Sequence, residues 1–542
     1  QTPHADEDAP IFSPDGSTIA FASNRAGQWD IYLMTLSGTN VMVQPVISHS
    51  GTDQVHPSFA PDGQTLAFSS NHEAGNWDLY TAPIAGGTWT RLTSGPDVER
   101  FPVFSSDGRT LAYRREVEGD SEIYVMDVIS RTARRLTSSP GLDGYPALTP
   151  DGSGVVFVSD RSGDLQLYSM NIAGSGVLTI TDRPGYRAHT PRLSSDGRTL
   201  VYAAAPIPGA YAIYTTTYQS PLEILASRGA TDALGLCDWT SSVFAMGWGA
   251  AWRSTGDDAY ARNIQSWVGS CVTAPYTITH VNDGLLGYAA LMAYQFDAQP
   301  GYLAFAQQMA DYLMNTAQRT SDGTLTHFDD QVWADTLIST VPFLVEMGRV
   351  TGDPSYIDEA AMQAVQHAAI LQDPATGLYR HAWCESTGEY LSTSYWARGN
   401  GWNMIASTQL LDVLPVTHTL RLPIVEIVQN QAQALAALQD SDGLWHTVVN
   451  RPDFYLESSG SAGIAYGLNR GVQKGWLPAD LETNAQAARL GLWRKVSADG
   501  TLMDVSAPTW PMPEEDYNAR PHDTIQLYGQ GMGLLALSSC VR

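Results

Sequence analysis

The sequence predicts two domains of unlike class: an all-β propeller of about five blades over residues 1–225, followed by an all-α (α/α)6 toroid over residues 226–542. Three observations predict this. A Pro-Asp-Gly or Ser-Asp-Gly turn recurs through the first part of the chain at a nearly constant interval. After residue 236 the apolar residues recur at three and four instead of alternating. Beyond that point, long loops rich in Asp, His, Trp and Gly precede every second helical segment. The length of 542 residues agrees, because one hydrophobic core does not ordinarily organise so long a chain.

The recurring turn holds Asp15, Asp62, Asp107, Asp151 and Asp196, at intervals of 47, 45, 44 and 45 residues. Each turn leads into a β-branched or apolar strand, at 18–21, 65–68, 110–113, 155–158 and 199–202, and a further strand ends at Tyr32, Tyr80, Tyr124, Tyr168 or Tyr214. An Asp-Gly pair between alternating strands signals a hairpin, because glycine tolerates positive φ. A period of about forty-five residues with about four short strands reads as one propeller blade. The repeats resemble those of TolB-type propellers. No constellation of His, Asp or Glu recurs at a matching place in the blades. This domain is therefore expected to be structural, or to dock a partner or polysaccharide, without chemistry of its own.

Past a linker around residues 220–236, eleven candidate helices follow, at 238–253, 256–269, 281–297, 301–318, 334–350, 354–371, 398–412, 420–438, 459–473, 480–494 and 525–538. In a toroid of twelve, inner helices ring a cavity and the loops before them form its mouth. The twelfth helix is either missing or replaced by the linker or the propeller.

Charge narrows the partners. The net charge is −26, with 56 acidic and 30 basic residues, and lysine occurs only at Lys474 and Lys495. Nucleic acid would be repelled, and no basic stripe is present. No apolar run is long enough to span a bilayer, so no membrane partner is expected. An anionic sugar would meet the same repulsion, so its site must supply its own arginine or histidine. Of Cys237, Cys271, Cys384 and Cys540, a disulfide is expected among Cys237, Cys271 and Cys540, the first two flanking one helical hairpin. The chain begins at Gln1 and runs almost at once into the repeat, which fits an exported, secreted or periplasmic protein.

Two segments carry the chemistry. Trp396-Ala-Arg-Gly-Asn-Gly-Trp402 sets one arginine between two indoles, with glycines removing bulk, as suits a ring-shaped ligand bearing a carboxylate. His327-Phe-Asp-Asp-Gln-Val-Trp333-Ala-Asp335 places an imidazole, an indole and a carboxylate close together. With Asp322-Gly-Thr-Leu-Thr-His327, His381-Ala-Trp383, Asp442-Gly-Leu-Trp445-His446 and Tyr455-Leu-Glu-Ser-Ser-Gly-Ser-Ala462, and in their order along the chain, these segments resemble glycoside hydrolase family 105, the unsaturated rhamnogalacturonyl hydrolases, and the related unsaturated glucuronyl hydrolases of family 88. The resemblance spans roughly residues 237–540.

It implies that Asp335 is the catalytic aspartate and Asp283 a second important one. It implies that His327, Trp333, His381, Trp396, Arg398 and Trp402 line the substrate, with Trp239 or Trp248 contributing from the first inner helix. The implied substrate is an oligosaccharide ending in the unsaturated uronate that a polysaccharide lyase leaves, and neither metal nor organic cofactor is implied. Cys384 departs from the pattern, standing where an acidic residue follows His-Ala-Trp. The implied reaction hydrates the C4=C5 vinyl ether. Asp335 would give a proton to C4 and later take one from water, and Arg398 would hold the uronate carboxylate. For this Asp335 is expected to be protonated at rest, its pKa raised by burial beside Trp333 with Asp283 nearby.

Duller roles stay open at this point. Asp335 and Asp283 also suit helix caps, and Arg398 suits a structural cation–π stack. So do two other functions: a uronate lyase or ordinary hydrolase on the same toroid, and a non-catalytic carbohydrate-binding or docking protein.

Overall fold

The computed structural model describes residues 5–36, 42–73, 75–231 and 237–538. The chain divides into two compact units, Gln1–Pro221 and Leu222–Arg542, a few residues before the boundary expected from the sequence.

The first unit is a propeller of five antiparallel blades, four with four strands and the last with three among the described residues. The Asp-Gly turns follow the first strand of each blade. Asp15 Oδ1 accepts from the Ser13 hydroxyl at 2.6 Å and from Ser17 N at 3.0 Å, and Asp151 repeats this with Thr149 and Ser153. The next residue must then turn left-handed, and Gly16, Gly63, Gly108, Gly152 and Gly197 do so at φ between 63° and 74°. The second strand of each blade pairs an aromatic ring with the tyrosine of the third, which continues three residues past that tyrosine instead of ending there as the sequence suggested. Phe21–Tyr32, Phe68–Tyr80, Tyr113–Tyr124, Phe157–Tyr168 and Tyr202–Tyr214 all have centroids 5.7–6.0 Å apart. The repeated tyrosine is thus a cross-strand packing partner.

The first strands themselves, Glu7–Phe12, Gln54–Phe59, Val98–Phe104, Asp143–Leu148 and Tyr186–Leu193, are absent from the sequence reading. Each contains an X-Pro step and a shift in register, so alternation is broken where it would have been looked for.

The second unit contains helices α1 (Pro221–Thr231), α2 (Trp239–Thr255), α3 (Asp258–Thr273), α4 (Asp283–Asp297), α5 (Pro300–Asn315), α6 (Asp335–Thr351), α7 (Pro354–Leu371), α8 (Ala397–Leu411), α9 (Arg421–Ala437), α10 (Ser458–Gln473), α11 (Glu482–Lys495), α12 (Glu514–Asn518) and α13 (Leu527–Ser538). Six of them, α2, α4, α6, α8, α10 and α13, form a closed inner ring, because α13 packs back on α2. Small residues permit the closest approaches. A Cβ on Gly531 would stand 2.4 Å from Val243 O, and one on Gly463 would stand 2.7 Å from Gly401 Cα. The linker supplies the helix that the sequence left unplaced: α1 buries Leu222 and Leu225, and Trp248 Nε1 donates to Ala226 O at 3.0 Å.

Cys237, just before α2, is bonded to Cys271 in α3. Closing a loop with sequence separation 34 stabilises by about 3–4 kcal/mol in the chain-entropy account. Cys384 is buried and free, and Cys540 lies outside the described residues.

Candidate active site

A small sheet assembles the site. Gln331–Trp333 pairs with Ala382–Cys384, which pairs with Glu389–Ser392, so Trp333 stands opposite Ala382. Ala334 N donates to His381 O at 2.9 Å, and α6 begins one residue later. This register brings the Asp335 carboxylate, in the first turn of α6, to the His381 imidazole, with Oδ2 and Nε2 3.2 Å apart. The cap position is Ala334 and carries no side-chain cap bond. Asp335 is therefore not an N-cap; its carboxylate faces the imidazole. Its side chain is 22% exposed, while that of His381 is fully covered.

Protonation follows from the far side of His381. Nδ1 lies 2.6 Å from the Tyr517 hydroxyl, Tyr517 donates to Ser392 Oγ at 3.0 Å, and Ser392 donates to Met512 O at 2.9 Å. A carbonyl can only accept, so the direction of every bond in the line is set from its end. Tyr517 must accept from His381, and Nδ1 must carry hydrogen. Nε2 and Asp335 then share one proton, as carboxylic acid and imidazole or as carboxylate and imidazolium.

The sequence led to the expectation of a raised pKa for Asp335, and the structure reverses it. Burial pushes the carboxyl up, but the hydrogen bond and charge of His381, together with the Arg398 guanidinium, outweigh burial and hold it below the ordinary value. His327 adds little to this field at neutral pH, because burial drives it down to about 3 and leaves it uncharged. At rest, Asp335 is therefore the carboxylate.

The aromatic wall is built around Trp333. His327 stacks on it at 4.6 Å and 16°, and its Nδ1 meets Thr336 Oγ1 at 3.1 Å. His381 stands edge-on to Trp333 at 5.8 Å. Phe328 and Trp510 extend the wall, stacked at 5.4 Å, with Trp510 edge-on to Trp333 and 58% exposed. His280 packs on His327 at 4.7 Å.

Four expected site residues have other occupations. Arg398 is 1% exposed and is committed to the protein. Its Nη1 donates to Ser506 O and Oγ at 3.0 Å and to Tyr528 Oη at 3.1 Å, and its Nη2 donates to Ala507 O and Thr509 Oγ1 at 3.1 Å. It sits over Trp396 at 4.5 Å and Tyr528 at 4.7 Å. It thus anchors the segment that carries Trp510 instead of offering a free fork to a ligand. Trp396 is 1% exposed, lies 4.3 Å from His381 and packs with Val448, Phe454 and Tyr517. It backs His381. Trp402 is 2% exposed, buried in α8. Asp283 accepts from Tyr276 Oη at 2.8 Å, Thr279 N at 2.9 Å and His280 N at 3.0 Å, so it pins the loop before α4. The glycines of the Trp396–Trp402 segment also serve packing: a Cβ on Gly401 would meet Gly460 O at 2.8 Å. Of the two first-helix tryptophans, Trp239 stacks on Tyr528 at 5.0 Å and Trp248 is core. Cys384 is 7% exposed and faces Asp330 at 3.4 Å.

The sequence reading missed Tyr517, Trp510, Phe328 and His280. Trp510 had a signal, since it stands in a proline-rich loop before an inner helix. Tyr517 had none: it reaches His381 across 136 positions.

Residues 229–542 match the family model described as Glycosyl Hydrolase Family 88, and residues 4–115 and 96–233 match that of the TolB beta propeller domain. The unsaturated rhamnogalacturonyl hydrolase YesR of Bacillus subtilis (strain 168) is 34% identical over 314 residues, covering 56% of this chain and 90% of that protein. An unsaturated 3S-rhamnoglycuronyl hydrolase of Alteromonas sp. (strain LOR) is 28% identical over 214 residues, 38% of this chain and 50% of its own. Among solved structures, a possible member of the GH105 family from Salmonella enterica superposes with a TM-score of 0.56 at 28% identity, over 60% of this chain and 95% of that one.

Proposed function

The chain belongs to glycosyl hydrolase family 88, and from that premise we propose that this glycoside hydrolase releases a 4,5-unsaturated uronic acid from lyase-generated oligosaccharides by hydrating the C4=C5 double bond, with Asp335 as general acid and base. One observation carries the reading: the Asp335 carboxylate lies 3.2 Å from Nε2 of a buried His381, beside an aromatic wall. The names of the two relatives, an unsaturated rhamnogalacturonyl and an unsaturated 3S-rhamnoglycuronyl hydrolase, support the substrate class.

The proton moves to Asp335 when the substrate arrives. An uronate ring covers the exposed side of the carboxylate, excludes water and brings a negative charge. Loss of solvent disfavours the carboxylate–imidazolium pair relative to its neutral form, and the substrate charge acts in the same direction. Asp335 then protonates C4 and positive charge develops at C5, stabilised by the ring oxygen. Water adds at C5 and gives its proton to Asp335. The resulting hemiketal opens, and the bond to the next sugar is lost with it. General acid–base assistance of this kind contributes about 10²–10⁴ in rate.

An ordinary hydrolase needs two working carboxylates on either side of the anomeric carbon. Asp283, the second candidate, spends its oxygens on Tyr276, Thr279 and His280, which weighs against that alternative. We also propose that the protein works outside the reducing cytosol, secreted or periplasmic, because the Cys237–Cys271 bridge suits an oxidising compartment.

The test follows the ultraviolet absorbance of the double bond in an unsaturated galacturonyl-rhamnose disaccharide. The wild-type protein is expected to abolish it, Asp335→Asn to leave it, and the saturated disaccharide to be inert. Turnover of the saturated sugar, or an unchanged signal with the wild type on every unsaturated uronide tried, refutes the proposal.

A further inference from the structure

The propeller encloses a cavity of about 360 Å³ to which residues from the first strands of all five blades contribute, among them Ala9, His56, Phe101, Tyr145, Thr190 and Arg192. The backbone shapes it by one device used five times. In each first strand the residue before proline lies in the left-handed region: Ala9 at φ 51°, His56 at 54°, Phe101 at 58°, Tyr145 at 54° and Thr190 at 49°. Residues with side chains rarely adopt this conformation, and its persistence points to a use. All five of these residues line the cavity.

The lining is aromatic, with one arginine, Arg192, set among the rings. His56 and Phe101 lie 3.8 Å apart, Phe101 and Tyr145 4.5 Å, Tyr145 and His189 5.4 Å, and His189 and Tyr211 5.6 Å, which makes a continuous wall of rings. Arg192 opens to the lumen although protein surrounds it, and its Nη1 donates to the adjacent Pro191 O at 2.8 Å. No carboxylate pairs with Arg192, Arg100 or Arg187 among the described residues. Arg114 pairs with Glu116 at 3.6 Å, and Asp8 is the one acidic group of the lining. The Nε atoms of Arg100, Arg114 and Arg187 and Nδ1 of His56 are buried without a hydrogen-bond partner. Burial and the charges of Arg100, Arg114 and Arg192 push His56 down to about 3, so it stays neutral and free to accept or donate. Arg100, Arg114 and Arg187 do not reach the lining and stack on Trp77, Phe101 and Tyr211, which leaves Arg192 as the one arginine of the lining, without a paired carboxylate among the described residues in a chain of net charge −26; a cation so placed suits an anion.

We propose that this cavity binds a carboxylated sugar ring, with the carboxylate on Arg192 and the ring faces against Phe101, Tyr145 and Tyr211. The volume lies at the small end of ligand pockets and suits one or two pyranose units. A compact inorganic anion would use the cation and leave the aromatic wall unused. The site is separate from Asp335 and does not depend on the reaction assigned to it.

Calorimetric titration of the full chain with saturated digalacturonate tests this, since that sugar has no double bond to hydrate. Saturable binding is expected, unchanged in Asp335→Asn and weakened about tenfold or more in Arg192→Gln, the loss of a charge-assisted hydrogen bond. Tyr211→Ala, at a side chain 48% exposed and so safe for folding, is expected to weaken it as well. Cellobiose, which lacks the carboxylate, is expected not to bind. The proposal is overturned by the absence of saturable binding, by equal affinity for cellobiose, by equal affinity for inorganic sulfate, or by binding that neither variant weakens.

Discussion

His381 Nδ1 and the Tyr517 hydroxyl lie 2.6 Å apart and start a one-way line of hydrogen bonds that ends on the Met512 carbonyl. Because the line can run in only one direction, the imidazole is left with one lone pair or one proton to offer Asp335. In the proposed reaction the acid is in this sense a pair of residues, oriented by a third.

Tyr517→Phe removes the acceptor for Nδ1–H while keeping the ring that packs on Trp396. Leaving the buried Nδ1–H without its acceptor costs about 1–3 kcal/mol, so kcat is expected to fall about 10- to 100-fold with little change in KM. The acid limb of the pH–rate profile should shift as well. A uniform rise in KM at constant kcat would show that Tyr517 only shapes the pocket.

Arg398→Lys keeps the charge and loses the fork that holds Ser506, Ala507 and Thr509. With several buried acceptors left unsatisfied, stability is expected to drop by about 2–4 kcal/mol. Limited proteolysis is then expected to cut near residues 506–513 faster than in the wild type. If substrate affinity falls while melting temperature and cleavage pattern stay unchanged, Arg398 grips the ligand and not the loop.

Acid should unfold the protein earlier than its carboxylates alone require. Burial lowers His327 to about 3 and His367 to about 4, against an ordinary value of 6.5. The folded state resists taking up these protons and the unfolded state does not. Their contribution is therefore fully present above pH 6.5 and is lost as pH falls toward 4 and then 3, at about 1.4 kcal/mol per pH unit for each group. His367→Met, at a fully buried position whose Nε2 lacks a partner, should flatten the slope of stability between pH 6 and 4 by about one group's share. An unaltered slope in urea titrations across this range would contradict the burial argument.

The legible parts of the fold were those with local causes. Asp15 and its four counterparts announce hairpins because the carboxylate and the following glycine act within five residues. Inner helices show as small-residue segments because Gly401, Gly460 and Gly531 sit where backbones touch. Asp335, His327, Trp333 and His381 stand together because a three-residue strand pairing suffices to join their loops. Arg398 and Asp283 misled for the opposite reason. Their residue types suit ligand contact, but their partners, Ser506 to Thr509 and Thr279 to His280, are backbone or small side chains that no motif records. The raised pKa failed likewise, because His381 bonds Asp335 from a segment 46 positions away.

In the proposed reaction Asp335 delivers hydrogen to carbon C4 and not to the bridging oxygen. Turnover of an unsaturated disaccharide in D₂O, followed by NMR, tests it most directly. One deuterium is expected at C4 of the released 4-deoxy-5-keto sugar, formed at the rate at which the double bond disappears, and none with Asp335→Asn. A released sugar that keeps its C4=C5 double bond, with no deuterium at C4, would contradict it.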